Sequence, residues 1–145
     1  MASPEAGPNG RGRGTDEPKA RILVAEDDDD IRDFIVAGLR RDGHEVIEAV
    51  DGEKLIQCVV TTSPLPVPRV IVSDIQMPGL TGLEALAYLR REHCPVRVVL
   101  VSAYFDQATR AEAERLGADG FLRKPFDIYE LREMVWRMAS GHPKS

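Results

Sequence analysis

Five short runs of apolar residues, at positions 22–25, 46–49, 70–72, 96–101 and 121–122, recur along the chain, each followed by a helix-length segment. The runs are rich in Val and Ile, and most are nearly continuous rather than alternating. That pattern suits parallel strands covered on both faces. The intervening segments carry helical stripes. Ile31, Phe34, Ile35 and Leu39 share one face, and Gly43 follows as a C-terminal cap. Leu55, Ile56, Val59 and Val60 form a second stripe, Leu83, Leu86 and Ala87 a third, and Ile128, Leu131, Val135 and Met138 a fifth. The fourth segment, 105–117, is Ala-rich, poorly striped and closed by Gly117, which predicts a loosely held helix. Five strand–helix units in alternation predict an α/β domain with a parallel sheet and right-handed crossovers.

Bulk properties narrow the class. A length of 145 residues with 43% hydrophobic content fits one domain and a tail. Residues 1–20 are dominated by Pro, Gly and charge and are expected to be a disordered tail, with the domain over 21–140 and a short tail at 141–145. Arg11 and Arg13 are too few to make that tail an RNA-binding segment, and a net charge of −5 argues against a nucleic-acid-binding surface. No run approaches the ~18 apolar residues of a membrane span. Cys58 and Cys94 do not form a disulfide framework, so a reducing, cytoplasmic setting is expected. The segment TTSPLPVP has the spacing of a PxxP ligand and is read as a stiff loop before the third strand.

In an open α/β sheet, ligands gather beyond the carboxyl ends of the strands. The first strand delivers Glu26 and Asp27 there, the third Asp74, the fourth Ser102 and the fifth Lys124, whereas the second ends on Ala49 and Val50. A lone Asp at a strand end is ordinarily a turn or cap residue, and a lone Lys before Pro a surface residue. Four strand ends bearing compatible chemistry at once reverse that reading. Three convergent carboxylates need counter-charge. Lys124 supplies one, and all-oxygen ligands favour Mg²⁺ for the remainder, with Mn²⁺ the nearest substitute. A carboxylate beside a divalent cation and a lysine is suited to accept a phosphoryl group.

The motifs ILVAEDD, VIVSDIQMPGLTGLEAL, VVLVSA and GFLRKPF, in this order, resemble the response-regulator receiver domain of two-component signalling, over about residues 20–140. The resemblance implies a flavodoxin-like fold with strand order 2-1-3-4-5. It implies that Asp74 is the phosphoacceptor and that Glu26, Asp27, Asp74 and the backbone carbonyl of Gln76 form the Mg²⁺ site. It further implies that Ser102 bonds the phosphoryl group, that Phe121 is the switch aromatic, that Lys124 pairs with the phosphoryl oxygens and that the bond before Pro125 is cis. Gln76 and Tyr104 fall where receivers tune autodephosphorylation. The implied partners are a histidine kinase or histidine phosphotransfer protein as donor, and a protein target or second copy on the face of the fourth helix, fifth strand and fifth helix. No true enzyme is implied beyond self-catalysed phosphorylation and dephosphorylation, and the chain is expected to be a stand-alone or excised receiver without an output domain.

Two alternatives stay open. One is a degenerate receiver serving only as an interaction module. The other is a Mg²⁺-dependent phosphatase with an aspartyl-phosphate intermediate, although its expected second acid, two residues past the nucleophile, is here Gln76. A flavin site would rest on fold analogy alone and suits four charged groups poorly. Within the run EDDDD, Glu26 and Asp27 are assigned to the metal, and Asp28, Asp29 and Asp30 to the start of the first helix, where they cap N–H groups and meet its positive dipole end. On the fifth helix, Tyr129 and Trp136 project away from the core stripe beside Arg132, either as a partner surface or, for Trp136, as packing against a loop.

Overall fold

The structure is a computed structural model that describes residues 20–60 and 67–141. The two tails and most of the Pro-rich segment lie outside the described residues, and with them the expectations for 1–19, 61–66 and 142–145. The elements alternate as β1 (Arg21–Ala25), α1 (Asp29–Arg41), β2 (Glu45–Ala49), α2 (Gly52–Val60), β3 (Val70–Asp74), α3 (Gly82–Arg91), β4 (Arg97–Ser102), α4 (Gln107–Arg115), β5 (Gly120–Arg123) and α5 (Ile128–Ala139). The five strands form one parallel sheet in the order β2-β1-β3-β4-β5, the order that the resemblance implies.

The near-continuous apolar runs are explained by cover on both faces. Ile22, Val24, Val70, Val72, Val99 and Val101 pack with Ile35, Leu39, Leu131 and Val135 on the α1/α5 side. The alternate residues Leu23, Ala25, Ile71 and Leu100 pack with Leu55, Val59, Leu86, Leu89 and Ala113 on the other. This period-two division requires both faces of β1, β3 and β4 to be apolar. The edge strands differ: β2 exposes Glu45 and Glu48, and β5 exposes Arg123. Charge at these positions discourages edge-to-edge pairing.

The helix ends obey local chemistry. Asp28 caps α1 by accepting from the Ile31 N–H at 3.0 Å, with Asp29 and Asp30 in the first turn. Gly43 follows α1 with φ +90°, a conformation that favours glycine. Thr81 and Glu84 form a reciprocal capping box at α3. In α4 only Ala113 is buried, so its hold on the sheet is slight, as its weak striping predicts. Its C-terminal end is nonetheless fastened. Arg90 of α3 donates to the carbonyls of Cys94, Val96, Leu116 and Gly117 at 2.8–3.0 Å. One guanidinium thus satisfies the irregular backbone on both sides of the β4–α4 unit.

A second fastening joins α1 to α5. Arg132 donates through two nitrogens to the buried carboxylate of Asp42, at 3.1 and 2.7 Å. Next to Asp42, His44 is only 6% exposed, and neither ring nitrogen has a hydrogen-bond partner. Its ring packs against Trp136 with centroids 6.2 Å apart. Burial lowers the His44 pKa below its usual 6.5, against a weaker opposing pull from Asp42. The neutral ring is therefore the form the fold accepts, and stability falls as pH drops through about 6.5, where the unfolded chain begins to take up the proton. Thermal melts from neutral to mildly acidic pH are expected to show this loss, and His44→Phe to flatten that part of the slope. Identical slopes for both proteins would show that His44 is not the group responsible.

Candidate functional site

A parallel sheet brings the carboxyl ends of all its strands to one rim. On β1 the ladder continues one residue beyond the strand, with the Glu26 N–H donating to the Ala49 carbonyl at 3.0 Å. The Glu26 side chain then turns inward and is buried, and its Oε2 accepts from the Asp28 N–H at 3.0 Å. Asp74 closes β3 and is also buried. Its Oδ1 accepts from the Gln76 N–H at 3.1 Å and its Oδ2 from Lys124 Nζ at 3.1 Å. Lys124 is aimed by its own backbone, whose N–H donates to the Ser102 carbonyl at 2.9 Å, and the Lys124–Pro125 peptide is cis.

Glycine makes the acceptor strand's exit possible. A Cβ on Gly82 would lie 2.2 Å from the Asp74 carbonyl oxygen, so α3 can begin against β3 only with a bare Cα there. The Gly82 N–H bonds the Ile75 carbonyl at 2.9 Å and closes the turn.

The electrostatics are unbalanced. Lys124 Nζ lies 2.9 Å from Glu26 Oε1 and 3.1 Å from Asp74 Oδ2. Burial works against the ammonium, yet the two carboxylates hold its pKa above the ordinary lysine value. Burial raises the pKa of Glu26, with the Asp74 charge adding to it and Lys124 and the Asp28 N–H opposing. Oε1 of Glu26 is buried without an aligned hydrogen-bond donor, so its contact with Lys124 is a charge contact rather than a formed hydrogen bond. Asp27 is exposed at the rim, and one carboxylate oxygen from each of Glu26, Asp27 and Asp74 lies within 4.8 Å of the others. Three carboxylates against one ammonium leave the centre net negative, and a set of hard oxygen donors this close together fits Mg²⁺.

The remaining candidates are distributed around this centre. Gln76 is exposed in the β3–α3 loop. Ser102 is fully buried, and its hydroxyl is engaged with the backbone of Tyr104, donating to the carbonyl at 2.9 Å and accepting from the N–H at 3.1 Å. Phe121 is half-buried on β5, edge-on to Phe105. Tyr129 and Trp136 are not equivalent. Tyr129 is 70% exposed, with the Arg132 guanidinium 5.5 Å from its ring centre, whereas Trp136 is half-buried against His44. The α1–β2 loop covers a flank that the periodicity of α5 alone leaves open.

Sequence reasoning passed over Arg32. Its guanidinium donates to the Glu26 carbonyl at 2.8 Å, to Asp29 at 2.6 Å and to Glu48 at 3.1 Å. It neutralises the outer part of the acidic run, and the Asp29–Arg32 spacing on α1 was the available signal.

The fold and this rim define a family. A family model for the response regulator receiver domain matches residues 22–136, and the chain belongs to that family. Receiver domains are the phosphorylation switches of two-component systems and generally bind Mg²⁺. Among related sequences, the transcriptional regulatory protein YrkP of Bacillus subtilis is 35% identical over 115 residues, which are 79% of this chain and 47% of YrkP. The chain thus spans about half the length of such regulators. Among solved structures, the receiver domain of the Francisella response regulator 1452 superposes with a TM-score of 0.76 at 31% identity, over 83% of this chain and 97% of that one. The Vibrio cholerae chemotaxis protein CheY4 gives 0.73 at 26% identity, over 83% and 99%.

The rim separates Asp27 from its acidic neighbours in the first turn of α1. Asp27→Ala is expected to weaken Mg²⁺ binding, measured by calorimetry, by at least about tenfold. Asp30→Ala should leave it within about twofold, since a solvated charge at that remove is largely screened. Equal losses would place the cation among the helix-capping residues instead.

Proposed function

We propose that this chain accepts a phosphoryl group on Asp74 from a phosphohistidine donor and thereby changes its partner-binding surface. The observation that carries this reading is the placement of Lys124 Nζ between Asp74 Oδ2 and Glu26 Oε1, beside the carboxylate cluster completed by Asp27. An Asp74 oxygen attacks phosphorus, the phosphorus–nitrogen bond breaks, and the electron pair leaves on the donor imidazole. Lys124 balances charge on the phosphoryl oxygens. The site of Glu26, Asp27, Asp74 and the Gln76 carbonyl would hold Mg²⁺, which when bound neutralises charge on the transferring group. Water later cleaves the acyl phosphate, with Gln76 and Tyr104 flanking its approach.

The switch follows from Ser102. To bond the phosphoryl group, its hydroxyl leaves the Tyr104 backbone, and the β4–α4 loop is released. Phe121 then moves inward, and the α4–β5–α5 face is remodelled for a protein target or a second copy of the chain. Tyr129 extends the surface available on α5.

The donor docks over an apolar recess of about 350 Å³ lined by Ile31, Phe34, Ala103, Lys124, Pro125 and Phe126. Lys124 is both its wall and the partner of Asp74, so a donor seated there has its histidine near the acceptor.

Acetyl phosphate with Mg²⁺ is expected to add one phosphoryl group, read by intact mass, and Asp74→Asn to abolish it. Labelling of that variant would overturn the assignment, and sustained multiple turnover of a simple phosphate ester would favour a phosphatase. For the docking recess, Phe34→Ala, at a residue 52% exposed, should slow transfer from a phosphorylated donor protein about tenfold while leaving acetyl phosphate labelling unchanged. Equal slowing by both donors would locate the defect in the acceptor site rather than in docking.

A further inference from the structure

The Phe121 ring is held on more than one side. The edge-to-face contact with Phe105 has ring centroids 5.7 Å apart, at 83°. Separately, the Arg110 guanidinium carbon lies 4.1 Å from the Phe121 ring centre, well within cation–π range. Phe105 belongs to the loop that Ser102 holds through Tyr104, and Arg110 belongs to α4. The ring therefore stands where the loop and the helix meet.

Few other contacts secure the N-terminal half of α4. Its buried residue, Ala113, lies in the C-terminal half, and the Arg90 fastening lies just past that end, at Leu116 and Gly117. The opposite end has the Asp106 cap, which accepts from the Thr109 N–H at 2.7 Å, and the Arg110–Phe121 contact. The N-terminal end of α4 is therefore the less secured of the two, and it carries Arg110.

We propose that Arg110 is a positioning residue that latches Phe121 in the unphosphorylated arrangement and sets the resting balance of the switch. The proposal rests on the reading of Asp74 as acceptor and Phe121 as switch aromatic. Inward movement of the ring must break the Arg110 contact, so the contact favours the resting form and opposes the phosphorylated one. Arg110 also forms an exposed i,i+4 ion pair with Glu114 at 3.4 Å, a contact within the helix and weak in solvent. An exposed cation–π contact supports a shift of about two- to fivefold in the balance, enough to tune a two-state element without locking it.

The test uses the full chain labelled with fluorophenylalanine, whose four phenylalanines give separate fluorine NMR signals, the Phe121 signal being assigned by its loss in Phe121→Leu. Beryllofluoride with Mg²⁺ serves as the phosphoryl mimic. In Arg110→Leu the Phe121 signal is expected to lie partway toward its beryllofluoride-bound position before any mimic is added. The beryllofluoride concentration at half-saturation should fall about two- to fivefold. Arg110→Lys, which keeps the charge without the flat guanidinium, should fall between. Glu114→Gln should leave the resting Phe121 signal in place. A Phe121 signal that responds to beryllofluoride identically in wild type and Arg110→Leu overturns the latch while leaving the acceptor reading intact. The same shift in Glu114→Gln as in Arg110→Leu also overturns it, by assigning the effect to helix stability. If wild type shows no response to beryllofluoride that Asp74→Asn abolishes, the acceptor reading fails and the latch with it.

Discussion

One ammonium group shared by two buried carboxylates organises this molecule. Lys124 reaches Glu26 and Asp74 together because β1 and β3 are neighbours and β5, one strand beyond β4, ends at the same rim. An order that parted β1 from β3, or carried β5 away from them, would leave at least one of these charges buried without a partner, a cost of several kcal/mol per ion by order of magnitude. Asp74 has a donor on each oxygen, but one ammonium cannot balance the charge of both acids. Glu26 keeps an oxygen without an aligned donor, and burial raises its pKa. The fold thus maintains a centre that is poorly satisfied alone and receptive to added positive charge. This is the reverse of the Arg132–Asp42 pair, whose two aligned bonds hold a structural joint.

The alternation of strands and helices was legible because strands buried on both faces must be apolar nearly throughout, as Ile22, Leu23 and Val24 illustrate. The rim residues were legible because four of the five apolar runs give way abruptly to polar side chains, the second excepted, so Glu26, Asp74, Ser102 and Lys124 could be grouped before any geometry was known. Their convergence depended on strand order, which came from motif resemblance rather than from periodicity. Other features were hidden for definite reasons. The hydroxyl of Ser102 meets the Tyr104 backbone through the path of a loop, and no spacing rule encodes that path. Helical periodicity places Trp136 away from the core of α5 but says nothing of His44, which arrives from another element to cover it. Arg90 serves carbonyls in irregular backbone, so it has no signature beyond being one of many arginines. Arg110 and Phe121 meet across a helix and a strand, and their sequence spacing is uninformative.

The molecule is also mechanically uneven. The α1/α5 side is tied by the Arg132–Asp42 pair and by the close approach of Ile128 to Gly38, where a Cβ would meet its side chain at 2.9 Å. On the opposite side α4 contributes a single buried residue. The α4 helix and its leading loop are therefore less secured than the scaffold that carries the carboxylates. The proposed switch would benefit from this separation, because displacement of α4 need not disturb Glu26, Asp27 and Asp74.

The engagement of Ser102 with Tyr104 has an energetic corollary. The hydroxyl already makes two backbone bonds in the resting form, so any new bond it makes replaces old ones and adds little to their number. In the switch proposed above, the conversion is then an exchange of bonds rather than a one-way gain. An exchange of this kind would leave the threshold adjustable from afar. On that reading, substitutions on the surface of α4 would set how much of the population stands ready at rest, and different chains with the same rim would answer the same chemical input at different strengths.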